Sequence, residues 1–289
     1  LGTKIEDENL FIHEAAKITF VTFSRLRASH GKYFFLTTRK TELFISKKPT
    51  MRKLLFLTFI VCIGLSSCRF MGRRIHGNGT IKTVERSVSP FTEVEANGDI
   101  KLIVSQGDLK PVKIEGDENI LSYIEVIQVG DRIKIETKPG INLIPSGDLN
   151  VYVSSPNYKS IEVSGSSDII GQTKITSTEE LNLEASGAGD IQMEVDAPKI
   201  TTGISGTGSI KLKGQTKDLD IDLSGAGHAY CYDLLTENTK VQISGAGSAQ
   251  VYASVKLSAD VSGAGNISYK GNASVSQEIS GAGSVNKVE

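Results

Sequence analysis

Ser186-Gly187-Ala188-Gly189-Asp190, Ser205-Gly206-Thr207-Gly208-Ser209, Ser224-Gly225-Ala226-Gly227-His228, Ser244-Gly245-Ala246-Gly247-Ser248, Ser262-Gly263-Ala264-Gly265-Asn266 and Ser280-Gly281-Ala282-Gly283-Ser284 repeat one phrase along the chain. A degenerate copy, Ser164-Gly165-Ser166-Ser167-Asp168, precedes them. Successive serines stand 22, 19, 19, 20, 18 and 18 residues apart. A near-fixed period of this size marks a solenoid in which each repeat is one supersecondary unit.

The flanks of the phrase say what kind of solenoid. One residue before each Ser stand Val163, Ala185, Ile204, Leu223, Ile243, Val261 and Ile279. Five residues after each Ser stand Ile169, Ile191, Ile210, Ala229, Ala249, Ile267 and Val285, and seven after come Met193, Leu212, Cys231, Val251 and Tyr269. Between these apolar columns lie polar residues such as Gln192, Lys211, Tyr230, Gln250 and Ser268. That is period-2 alternation on both sides of a fixed turn, the pattern of strands with one buried face. The expected fold is an all-β parallel β-helix over 156–289, one coil per about 19 residues, with seven turns spanning roughly 30–35 Å at strand spacing.

Glycine accepts positive φ and close backbone approach, so two Gly around a small residue make a corner that repeats in register. The Ser hydroxyl is positioned to bond to adjacent backbone or along its own column. Two ligand-loop readings compete with this structural one. Calcium solenoids need a recurring acid, but the fifth position reads Asp168, Asp190, Ser209, His228, Ser248, Asn266, Ser284, and two acids in seven do not supply the charge. A phosphate loop needs a helix after the glycines, and none is readable. No metal and no cofactor is expected.

Residues 81–155 are strand-rich without the phrase and suit an N-terminal cap, since the terminal units of such stacks are atypical. Asn97-Gly98-Asp99 is a turn signal between the alternating runs 92–96 and 100–104. Further runs follow at 112–114, 124–129, 133–135 and 151–153, and 118–123 suits one short helical turn.

Upstream, Met51 opens a stretch built like an export signal. Arg52 and Lys53 are followed by a 12-residue apolar run from Leu54 to Leu65, closed by Ser66-Ser67-Cys68. The run is well short of the roughly 20 residues that a spanning helix needs. Residues 1–50 therefore read as upstream sequence translated ahead of the true start and outside the fold, 51–67 as signal peptide and 68–80 as tether. Leu65-Ser66-Ser67-Cys68 resembles the lipobox of bacterial lipoproteins. The resemblance implies that Cys68 becomes the acylated N-terminus and holds the protein to the membrane, each buried methylene adding about 0.8 kcal/mol. Arg69 at the next position, rather than Asp, implies an outer-membrane address.

The net charge of −1 among 289 residues argues against a nucleic-acid surface, and three cysteines do not make a disulfide framework. The candidate binding surface is a strip of outward tyrosines, Tyr230, Tyr232 and Tyr252, suited to a glycan or an envelope protein. His228 reads as a lone polar turn residue without a partner, and Cys231 as a small buried hydrophobe in the column of Leu212 and Val251. Glycosidic chemistry needs paired acids. The outward positions show no column of acids and no Trp, and the repeat region holds one acidic doublet, Glu179-Glu180.

The repeated Ser-Gly-Ala-Gly phrase, together with Pro90-Phe91-Thr92-Glu93-Val94-Glu95-Ala96-Asn97-Gly98-Asp99-Ile100 and Val163-Ser164-Gly165-Ser166, resembles the head GIN domain family of auto-transporter adhesins, a domain of unknown function. The resemblance covers about 90–288. It implies a right-handed β-helix-like fold in a Gram-negative envelope protein with an adhesin-like or structural role, and it supplies no catalytic residues. The expectation is thus a non-catalytic, lipid-anchored envelope protein. The alternatives are a carbohydrate-active lyase or hydrolase and, behind it, a periplasmic sensor or assembly partner. Val285 to Glu289 stop on a strand, an edge that invites pairing, so end-to-end homo-oligomers are expected. Sedimentation showing only monomer at high concentration would contradict that.

Overall fold

A computed structural model describes residues 72–289, and both the upstream extension and the signal segment with Cys68 lie outside the described residues. The chain opens with β1 (Arg73–His76), inside the stretch read as tether, and β2 (Ile81–Arg86). It then lays down a first rung as β3 (Glu93–Gly98) and β4 (Lys101–Gln106). From there it leaves through β5 (Val112–Asp117), a 3-10 turn at Leu121–Tyr123, β6 (Ile124–Val129), β7 (Arg132–Thr137), β8 (Ile141–Ile144) and β9 (Asn150–Ser155). It returns as β10 (Ser160–Gly165), β11 (Asp168–Gly171), β12 (Ile175–Thr176) and β13 (Leu181–Gly187). Three long strands then bend round whole coils: β14 (Asp190–Gly206), β15 (Ser209–Gly225) and β16 (His228–Gly245). The last coils are β17 (Ser248–Tyr252), β18 (Lys256–Gly263), β19 (Asn266–Lys270), β20 (Ser274–Gly281) and β21 (Ser284–Lys287).

The strands that enter the Gly corner stack in parallel as β7, β3, β10, β13 and the second half of β14, and onward to β20. The strands that leave it stack in parallel as β9, β4, β11 and the first half of β14, and onward to β21. The expected parallel β-solenoid is the observed fold. Its first rung, however, is not where chain order would put it. The pair β3–β4 lies between β7–β9 on one side and β10–β11 on the other, because the excursion 107–159 folds underneath before the repeat begins. The stack is closed at that end by antiparallel strands, β6 on β7 and β5 on β9, with β2 on β5. Reversing direction there removes the parallel edge that an open coil would otherwise present.

Asn97-Gly98 is accordingly not a hairpin turn. Gly98 stands in register with Gly165, and Asn97 with Ser164. Gly98 has φ +127°, and Ser166 N–H donates to its carbonyl at 2.7 Å. It is the same corner one coil further upstream, written with Asn in place of Ser. Both readings need a positive-φ glycine, so turn chemistry alone does not separate them.

The corner geometry explains both glycines. Gly206 has φ +124°, and a Cβ there would lie 2.3 Å from the Gly187 carbonyl oxygen of the coil beneath. That oxygen accepts the Thr207 N–H at 2.8 Å. The same bond, from the residue between the glycines to the first glycine of the previous coil, recurs from Ala188, Ala226, Ala246, Ala264 and Ala282 at 2.8 Å. Gly208 is needed for space alone, since a Cβ there would stand 2.1 Å from the Gly189 oxygen. The serines that head the phrase are exposed in the copies from Ser186 to Ser280. Side-chain hydrogen bonds between coils run instead along the fifth position. Asp190 Oδ1 accepts from Ser209 N and Oγ at 2.8 Å, His228 Nδ1 lies 2.8 Å from Ser248 Oγ, and Ser284 Oγ donates to Asn266 at 2.7 Å. His228 therefore has a partner, and the fifth position stays polar because the ladder uses it.

The two apolar columns are the core. Ile204, Leu223, Ile243 and Val261 are buried before the corner, as are Ile191, Ile210, Ala229, Ala249 and Ile267 after it. Ile279 occupies the same column in the last described coil and is 39% exposed, because no described coil covers it. Cys231 is fully buried in register with Val251. Burial pushes its thiol up to about 12, so it is protonated and unreactive at neutral pH.

The uneven period has a structural account. The 20-residue coil carries a bulge: Lys211 faces Tyr230, but Lys213 faces Asp233. The 18-residue coils are shorter at the corner opposite the glycines, where β17 ends at Tyr252 and β18 starts at Lys256.

Candidate functional site

That second corner is concave. Ala197, Thr216 and Thr236 stand in register and are buried. They are short, and they form the floor of an open trough of about 510 Å³. One wall is the column Asp196–Gln215–Leu235 and the other is Pro198, Lys217 and Glu237. Ser177 lies at one end, and Tyr252 with Ser254 at the other. The trough thus crosses five rungs along the stack axis, roughly 19 Å at about 4.8 Å per rung.

The floor is polar but internally satisfied. Thr216 Oγ1 donates to the Asp218 carbonyl at 3.1 Å. Thr236 donates to the Tyr252 carbonyl, and Thr239 donates to the same oxygen at 2.9 Å. On the wall, Asp196 Oδ2 accepts from Lys174 Nζ at 2.7 Å and from Gln215 Nε2 at 2.9 Å. Lys174 is the main reason its carboxyl is held below the usual range. A general acid requires the opposite shift. Leu235 is 55% exposed, and among the described residues Lys217 and Glu237 form no ion pair.

Of the three tyrosines expected to form a strip, only Tyr252 lines the trough. Tyr230 stands outside it on the outer face, in register with Lys211 and Gln250, with the His228 ring 5.9 Å away. Tyr232 is half-buried at the bulge, and the Lys270 ammonium lies 5.0 Å from its ring centre. Cys68 lies outside the described residues.

The register also corrects the expectation that the outward positions hold no column of acids. Two residues before the corner, Glu95, Glu162, Glu184, Gly203, Asp222, Gln242, Asp260 and Glu278 stack one on the next. In the sequence an acid stands two residues before the phrase in five of its seven copies, as Glu162, Glu184, Asp222, Asp260 and Glu278. Stacked like charges repel, and at the cap the repulsion is relieved. Arg132 donates to both oxygens of Glu162 at 2.9 Å and to Glu93 at 2.8 Å, which raises its own pKa. Lys134 joins Glu95 and Glu136. Further along, Gly203 and Gln242 interrupt the column. Among the described residues no group of three or more His, Cys, Asp or Glu is arranged to hold a metal ion.

A family model described as "Putative auto-transporter adhesin, head GIN domain" matches residues 90–273. Several solved structures resemble the chain, among them three from Bacteroides and Parabacteroides. A "putative adhesin" from Bacteroides fragilis has 22% identity and a TM-score of 0.70, over 74% of this chain and 100% of its own. A "putative lipid binding protein" from Parabacteroides distasonis has 24% identity and a TM-score of 0.64, over 75% and 100%. A "putative adhesin" from Parabacteroides distasonis has 26% identity and a TM-score of 0.62, over 74% and 100%. No curated protein matches the chain.

Proposed function

The chain belongs to the head GIN domain family of auto-transporter adhesins, and on that premise we propose that it is a non-catalytic, adhesin-like binding module of the cell envelope, lipid-anchored to the outer membrane through Cys68. Three things support the reading. The family supplies the adhesin-like role. The lipobox-like ending before Cys68 supplies the anchor. The trough supplies a surface on which to bind, and it is the observation that carries the proposal.

The trough is open, elongated and lined by side chains of both charge signs, and its Asp196 is pinned in the charged form by Lys174. Such a surface holds a ligand without protonating a leaving group. The other outward columns are held at fixed spacing by the inter-coil hydrogen bonds, so they add rigid contact area rather than moving parts.

The test pairs binding to an array of envelope and dietary glycans with a turnover assay on every glycan that binds. Binding without released oligosaccharide is the expected result, and release of product would overturn the non-catalytic reading. The anchor is tested separately. Cys68→Ser should move the protein from the membrane fraction to the soluble one, and retention on the membrane would refute acylation there.

A further inference from the structure

We propose that the trough at the second corner takes a linear, uncharged polysaccharide lying along the stack axis, one sugar unit per rung. This deepens the binding role above and rests on it. The trough walls are periodic. Successive wall residues, Asp196, Gln215 and Leu235 on one side and Pro198, Lys217 and Glu237 on the other, repeat at the rung spacing of about 4.8 Å. That spacing is close to the length one sugar ring adds to a linear chain. A polysaccharide therefore meets a new pair of wall side chains at each unit, whereas an extended peptide, at about 3.3 Å per residue, falls out of step.

The backbone at the trough has its partners already. Peptides bind sheets chiefly by adding a strand to a free edge. In the trough the N–H and C=O groups already bond from coil to coil: Ser177 N–H donates to the Asp196 carbonyl at 2.9 Å, Ser254 N–H to that of Thr236 at 3.0 Å and Val255 N–H to that of Glu237 at 2.9 Å. A peptide laid across the rungs finds no ladder to join. Recognition is left to side chains, which suits a ligand rich in hydroxyls.

The charges of the trough favour a neutral ligand. Lys217 lines the same trough as the carboxylates of Asp196 and Glu237 and, among the described residues, forms an ion pair with neither, while Asp196 is already satisfied by Lys174. A polyanion such as a uronate chain would meet Glu237 unfavourably, and a polycation would meet Lys217. A neutral chain meets donors and acceptors without either penalty. Leu235, 55% exposed on the wall, offers apolar area to the C–H faces of the sugars.

The experiment is calorimetric titration of the full chain with a length series of linear neutral oligosaccharides: β-1,4-glucan, β-1,3-glucan, xylan and α-mannan. Oligogalacturonate and an extended peptide serve as the other arms. At least one neutral series should bind, with affinity rising until the oligomer spans five rungs and then levelling off. Leu235→Ala and Lys217→Ala, both at exposed positions, should weaken it about tenfold or more without changing the melting temperature, while Tyr230→Ala, outside the trough, should not. Unchanged affinity in both trough variants, stronger binding of the uronate or the peptide, or no binding of any neutral series would overturn the proposal. Glycan binding that ignores the trough variants would leave the adhesin-like reading standing. No binding to any glycan or envelope surface would remove that reading as well.

Discussion

Gly206→Ala is expected to cost about 3 kcal/mol or more of folding stability, from two effects that fall on the same atom. At φ +124°, beyond the left-handed helical region, an L-residue carries roughly 1–3 kcal/mol of backbone strain. The new Cβ would also stand 2.3 Å from the Gly187 oxygen, and relieving such overpacking costs about 1–3 kcal/mol. The oxygen cannot simply step aside, because it accepts the Thr207 N–H at 2.8 Å and thereby holds one coil on the next. A chain of this size loses roughly 2–4 °C in melting temperature per kcal/mol, so a fall of roughly 6–12 °C is expected. Ala226→Gly, at the exposed position between the glycines of the following corner, should cost less than about 1 kcal/mol. Denaturant melts of the two variants decide the matter. If Gly206→Ala is tolerated as well as Ala226→Gly, the corner is not packed as described.

The second large effect comes from the apolar column before the corner. Ile243→Ala removes a side chain that is 2% exposed, and a truncation of that kind costs about 2–5 kcal/mol. Ile279→Ala makes the identical change one residue before an identical phrase, but at a position 39% exposed. It should cost about 1 kcal/mol or less. Because neighbouring coils couple in a stack, the Ile243 variant should also steepen the loss in the coils on either side of it. Equal costs at the two positions would mean that the column is covered equally along its length, contrary to the observed burial.

What could be read from the sequence was what repeats. The apolar residues at −1 and +5 fix the strands, their inward faces and the parallel stack, since each is a local pattern repeated in step. The order of the first rungs could not be read that way. Nothing in the alternation of 93–98 or 132–137 says that β3 sits between β7 and β10, because both neighbours offer it the same kind of apolar face. The acid column was legible in principle at position −2 and becomes visible only once coils are aligned on the corner.

The trough has no signal in the repeat pattern. It lies at the corner farthest from the phrase, where the uneven coil lengths accumulate. Its floor is made by what is missing, the bulk of Ala197, Thr216 and Thr236. The tyrosine strip rests on alternation alone. The bulge between Lys211 and Lys213 breaks that alternation, and of the three residues only Tyr252 lines the trough.

The Ser-Gly-x-Gly phrase is the packed corner of a coil rather than a loop awaiting a ligand. Amide hydrogen exchange at Thr207, Ala226, Ala246 and Ala264 tests this most directly. Their side chains are exposed, yet each N–H donates at 2.8 Å to a glycine carbonyl of the coil beneath. Exchange slowed roughly a thousandfold or more at all four amides, with no ligand present, is the predicted result. Fast exchange there, within a solenoid whose strand amides are protected, would contradict it.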